Sequence, residues 1–126
     1  MWHQINQEMN SEQLERVYTA KKESYERLVG VYTEHHKIRF EKKVNSKMIF
    51  PLEEKELAKK RTNQYTTIKF MNLKKDAEWG TIGNKLYTQY ITSKKPRGFL
   101  IEDKIFAQTF NQVFDELWEK AEDLAT

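Results

Sequence analysis

The stretch that most constrains this chain is DKIFAQTFNQVFDELWEKAEDL, Asp103 to Leu124. Its large apolar residues fall at Phe106, Phe110, Val113, Phe114, Leu117, Ala121 and Leu124. Those spacings are the three-and-four rhythm of one helical face, and Trp118 widens the stripe by one position. Asp103 is placed to cap the helix, and Glu102 adds negative charge where the helix dipole favours it. Three Phe and a Trp stabilise a fold by about 2 kcal/mol each when buried. Such a helix needs the rest of the chain, or a partner, to cover its stripe.

Few breakers interrupt what that helix must pack against. The 126 residues hold four Gly and two Pro, which predicts long elements and favours helices over a sandwich of short strands. The length suits a single domain, residues 1–126, with one core. Asn10 or Ser11 can cap a helix running to at least Leu28, with Leu14, Val17, Tyr18 and Tyr25 inward. Pro51 suits the first turn of another, and Leu57, Arg61, Tyr65, Ile68 and Met71 share its face, although Tyr65-Thr66-Thr67-Ile68 is β-rich enough to break it. Thr81 can cap a third helix, with Ile82, Leu86, Tyr90 and Ile91 inward and Trp79-Gly80 ending the element before it.

Residues 29–50 read two ways. Helical spacing puts Leu28, Tyr32, His35 and Ile38 on one face through about Lys43. Against it, Val29, Val31, Tyr32 and Thr33 favour strands, Ile38 and Phe40 alternate with Lys37, Arg39 and Glu41, and Asn45-Ser46-Lys47 could turn the chain into Met48-Ile49-Phe50. The expected fold is therefore mainly α, a bundle of three or four long helices. The alternative is α+β, with a small antiparallel hairpin within residues 29–50.

No catalytic constellation emerges. His35 and His36 diverge by about 100° on a helix, and His3 has no partner at metal-ligand spacing, so no metal or cofactor is expected. Glu102-Asp103-Lys104 resembles the acid-x-Lys of metal-dependent nucleases only in outline, since the second acid is missing and the cap explains it. Gly80-Thr81-Ile82-Gly83 lacks the rest of a phosphate loop, and Glu53, Glu54 and Glu56 read as surface charges of a helix start. With no cysteine, disulfides and thiolate sites are excluded. Aliphatic or aromatic runs stop at three residues, as in Met48–Phe50, so no membrane span or leader is expected and the location is read as cytoplasmic.

Charge supplies the functional lead. Lys37–Arg97 carries 16 Lys or Arg against 6 Asp or Glu, whereas the segments before and after carry 4 against 6 and 2 against 7. Three basic clusters stand out: Lys59, Lys60 and Arg61; Lys74 and Lys75; and Lys94, Lys95 and Arg97. Such residues neutralise phosphates, and Tyr65, Tyr87 and Tyr90 could stack on bases. A winged helix-turn-helix using Thr81–Thr92 and the Lys94–Gly98 loop is one form this could take. The aromatic content, 13%, is high for a chain with 33% charged residues, which makes Trp2, Trp79 and Tyr87 candidate partner-binding aromatics. The first expectation is a small non-enzymatic regulator or adaptor that binds another protein. The second is a nucleic-acid-binding protein using segment 37–97 on DNA or RNA.

Overall fold

Strands outnumber helices in the computed structural model, which describes residues 1–91 and 95–123. In chain order the elements are α1 (Trp2–Glu8), β1 (Leu14–Tyr18), α2 (Lys22–Glu41), β2 (Asn45–Pro51), a single 3-10 turn (Leu52–Glu54) and α3 (Lys55–Arg61). Then follow β3 (Thr66–Met71), β4 (Glu78–Ile82), β5 (Lys85–Ile91), β6 (Pro96–Glu102), α4 (Lys104–Lys120) and the short β7 (Glu122–Asp123). All seven strands join one mixed sheet in the order β6-β5-β4-β1-β2-β3-β7. β1, β2 and β3 are parallel, linked by α2 and α3 as crossovers. β4, β5 and β6 add an antiparallel meander.

The expected helical bundle is thus overturned, and α+β is the better description. The reason is physical. The middle of the sheet is covered on both faces, so its strands lack the polar face that would reveal a period of two. In β1, Glu15 and Val17 are buried under the α2 side while Arg16 and Tyr18 are half-covered by α4, so Leu14, Val17 and Tyr18 mimic helical spacing. The proposed helix from Thr81 is the β4–β5 hairpin. Its two-residue loop is Gly83-Asn84, with Gly83 at φ +58°, the left-handed value a type II′ turn requires at its first position. Gly80 lies mid-strand instead of ending a helix, because the Tyr87 ring approaches its backbone to 2.6 Å of where a Cβ would stand. The segment after Pro51 breaks at the β-rich patch, which becomes β3.

The hairpin within residues 29–50 does not form. α2 runs unbroken to Glu41, with Gly30 on its open side, and Lys43 turns the chain at φ 59° into β2. The buried face of α2 is Ser24, Tyr25, Leu28, Tyr32, His35 and Arg39. The main core lies beneath it, where Tyr25, Leu28 and Tyr32 meet Met48, Phe50, Ile68 and Phe70. A second cluster around Ile5, Met9, Val44, Ile82 and Tyr87 extends it beneath α1.

α4 crosses the opposite face diagonally, from the end of β6 to β3. Asp103 caps it as the sequence predicts, accepting the Phe106 amide at 2.8 Å. The helix is rotated from the expected stripe, however. Ala107 and Phe114 are its buried residues, with Phe110, Asn111, Leu117 and Trp118 half-covered beside them, while Phe106 is 52% and Val113 40% exposed. Leu124 lies outside the described residues. Trp79 from β4 fixes the rotation by meeting Phe110 and Phe114 edge-on. Phe114→Ala should accordingly cost about 3–5 kcal/mol in denaturant unfolding, and Phe106→Ala under about 1 kcal/mol. Equal losses would mean that the helix face is not turned this way.

Candidate nucleic-acid interface

Between α2 and α3 the chain leaves an open cleft of about 270 Å³. Thr33, His36, Lys37, Arg39 and Phe40 line it from α2, Lys60 and Arg61 from α3, and Asn63 from the turn that follows. α2 supplies a stripe because 33, 36, 37 and 40 fall on one helical face. α3 supplies its basic end, where Lys59, Lys60 and Arg61 occupy the last turn and complement the helix dipole. No carboxylate lines the cleft among the described residues.

Arg39 anchors the floor. It is 2% exposed and donates from Nη1 to the carbonyls of Val44 (2.9 Å) and Tyr65 (3.1 Å), and from Nη2 to Thr66 Oγ1. Its Nη2 also lies 3.4 Å from His36 Nδ1. Burial, only partly offset by Glu15, drives the His36 imidazole down to about 3, so it stays neutral at ordinary pH. Arg61 Nη1 is buried and meets no acceptor among the described residues. Lys37 and Lys60 stand exposed at the rim. Phe40 is 45% exposed and braced edge-on by Tyr65 at 5.3 Å, leaving an aromatic surface beside the cations.

Beneath the cleft sits a buried polar network. Glu15 meets His35 Nε2 at 2.5 Å, Ser46 Oγ at 2.9 Å and Arg39 Nε at 3.7 Å. Burial alone would raise its pKa, but the charge and hydrogen bond of His35, with the charge of Arg39, outweigh that and hold it at about 2. Glu78 lies at the other end. It accepts from Gln89 Nε2 at 2.7 Å and from the Tyr32 hydroxyl, and burial pushes it up to about 8. Trp2 closes the network by donating from Nε1 to Gln89 Oε1 at 2.8 Å.

The basic clusters read from the sequence do not share one surface. Lys59, Lys60 and Arg61 precede β3, whereas Lys74 and Lys75 follow it, so the strand of six residues separates them by about 20 Å. Lys74 sits among Lys21, Lys22, Glu23 and Glu53, and Lys21 pairs with Asp76 at 3.0 Å, so that end is mixed in charge. Lys95 immediately precedes β6 and Arg97 lies in it, at the far edge of the sheet, and Lys94 lies outside the described residues. The cleft instead joins the first cluster to Lys37 and Phe40. The sequence carried that signal in the helical spacing of residues 33–40, hidden by the ambiguity between helix and strand.

The candidate aromatics do not gather on one surface. Tyr87 is buried, Trp2 packs on Tyr32, His35 and Tyr87, and Trp79 packs on Tyr18, Phe110 and Phe114. The acidic residues of α4 lie across the sheet from the cleft. There Asp115 pairs with Arg16 at 3.0 Å, and Lys69 and Lys47 sit over the Trp118 ring. No helix is long and apolar enough to cross a membrane among the described residues, and no group of three or more His, Asp or Glu there is placed to hold a metal.

No protein-family model matches the chain, and no curated protein matches it. Among solved structures it is similar to the archaeal chromatin protein TrmBL2, whose structure shows a novel mode of DNA binding. The TM-score is 0.63 at 12% identity, covering 95% of this chain and 47% of that one. The chain therefore spans about half the length of that protein. At this identity the likeness establishes a shared fold.

The network sets a pH dependence. Glu78 ionises near its ordinary 4.5 when unfolded but keeps its proton to about pH 8 when folded. Its contribution to stability is whole below pH 4.5 and is lost as pH rises towards 8, at about 1.4 kcal/mol per unit of pKa difference. Glu78→Gln should raise the melting temperature at pH 8 and leave it nearly unchanged at pH 4.5. A gain of equal size at both values would contradict a protonated Glu78.

Proposed function

We propose that this chain is a non-enzymatic, cytoplasmic protein that binds DNA or RNA through the cleft between α2 and α3. One observation carries the reading: Lys37, Lys60 and Arg61 converge with buried Arg39 around the exposed Phe40, and no carboxylate among the described residues lines the space. Clustered cations replace the counterions of a phosphate backbone, and an aromatic beside them gives an unpaired base a surface to stack on. The exposed ammonium groups of Lys37 and Lys60 are the donors best placed for phosphate oxygens. The fold shared with a DNA-binding chromatin protein supports the same reading. Adaptor binding through Trp2, Trp79 and Tyr87 together has no such support, because Trp2 and Tyr87 pack on each other while Trp79 lies against α4, so the three rings share no surface.

The salt dependence of oligonucleotide binding tests this. Affinity should fall steeply as salt rises. Replacing Lys37 and Lys60 by Ala should lower the slope of log K against log salt by about 0.7–0.9 per residue, with little loss of stability. Replacing Lys95 and Arg97 should leave the slope unchanged. The reverse pattern would move the site to the β6 edge, and binding that is flat in salt would end the proposal.

A further inference from the structure

The far edge of the sheet carries a surface apart from the cleft between α2 and α3. β6 pairs with β5 on one flank only, so the other flank of Pro96–Glu102 has no strand beside it among the described residues. Edge strands of monomers are usually blunted by central charges, proline or bulges. Here the middle of the strand is Gly98-Phe99-Leu100-Ile101, without a charge, and its pairing with β5 is unbroken from Pro96 to Glu102. Phe99 is 53% and Ile101 40% exposed, and the first turn of α4 adds Ile105 at 74% and Phe106 at 52%. Trp79, Leu86 and Phe110 wall an apolar groove of about 340 Å³ beside them. Apolar side chains gathered in this way differ from the single exposed ones normal on a surface.

We propose that this edge is a homodimer interface, in which β6 of a second copy pairs antiparallel with β6 of the first across a two-fold axis. Three features select a second copy as the occupant. An interface across a two-fold axis must complement itself, and this corner offers both an apolar groove and, on its rim, projecting rings at Phe99 and Phe106. A two-fold axis normal to the sheet keeps the α4 faces of both copies on one side. Phe99 and Ile101 point to that side, since they pair with Thr88 and Leu86, so the two apolar corners merge. The charges are also arranged for antiparallel pairing. Lys95 and Arg97 lie at one end of β6 and Asp103 follows its other end, while Glu102 stands on the opposite face from Arg97 and accepts from Gln4. Antiparallel contact therefore sets the basic end of each copy against the acidic end of its partner, twice. The unpaired amides and carbonyls of the edge complete the ladder, and two seven-stranded sheets become one.

Sedimentation equilibrium of the 126-residue chain, up to about 100 µM, tests the proposal. The expected mass is twice 15.2 kDa. Phe99→Lys should yield a monomer with an unchanged circular-dichroism melt, because the ring is half exposed in the single chain. Ile101→Lys should weaken association at least tenfold as well, because Ile101 stands on the same face of β6 as Phe99 and is 40% exposed. A monomer throughout the concentration range would overturn the proposal and leave the groove to a different protein. So would a dimer indifferent to Phe99→Lys or to Ile101→Lys.

Discussion

The carboxylate of Glu15 holds the architecture in register. It is fully buried in the middle of the sheet and is met by His35 and Arg39 from α2 and by Ser46 from β2. One side chain of β1 thereby ties the longest helix to two parallel strands. Arg39 carries the link onward to Val44, Tyr65 and Thr66, at the start of β3. A carboxylate so placed is costly to bury alone, and removing one partner of a buried pair typically costs about 3–5 kcal/mol. Its value lies in specificity, since a sliding α2 would leave Glu15, His35 and Arg39 unpaired together.

That register determines where the cleft lies. With His35 and Arg39 turned inward, the next face of α2 presents His36, Lys37 and Phe40 towards α3. α3 is short and ends in three cations because the chain must turn at Asn63 to enter β3. The two helices then face each other with like charge. Like charges facing each other are unfavourable for stability alone, and the polyanion proposed for this cleft would relieve them. α4, with Asp115, Glu116 and Glu119, sits across the sheet, and its carboxylates do not line the cleft.

The most legible parts of the sequence were helical. Asp103 as a cap and the length of α4 follow from local rules, as does a helix persisting into the early forties despite Gly30. Most of the strands were obscured, for two reasons. The inner strands are sandwiched between helices and lose the alternation that marks a half-exposed strand. The meander strands have turn signals of one or two residues, such as Gly83-Asn84, that also read as helix starts. The polar core was illegible for a different reason. Glu15 and Glu78 look like ordinary surface acids until the sheet places Tyr32, His35, Arg39 and Gln89 around them. The basic segment was visible as composition, but only the crossover geometry showed that Lys37 and Lys60 converge while Lys74 and Arg97 do not.

The central claim is that the cleft between α2 and α3 holds a phosphodiester. The most direct measurement is an amide chemical-shift titration of the labelled chain with a short oligonucleotide at low salt. Saturable shifts should cluster at residues 33–40 and 59–63, with the Arg61 guanidinium signal shifting alongside them, and residues 96–102 should stay unmoved. Shifts concentrated along β6 or around Lys74, with residues 33–40 silent, would contradict the account.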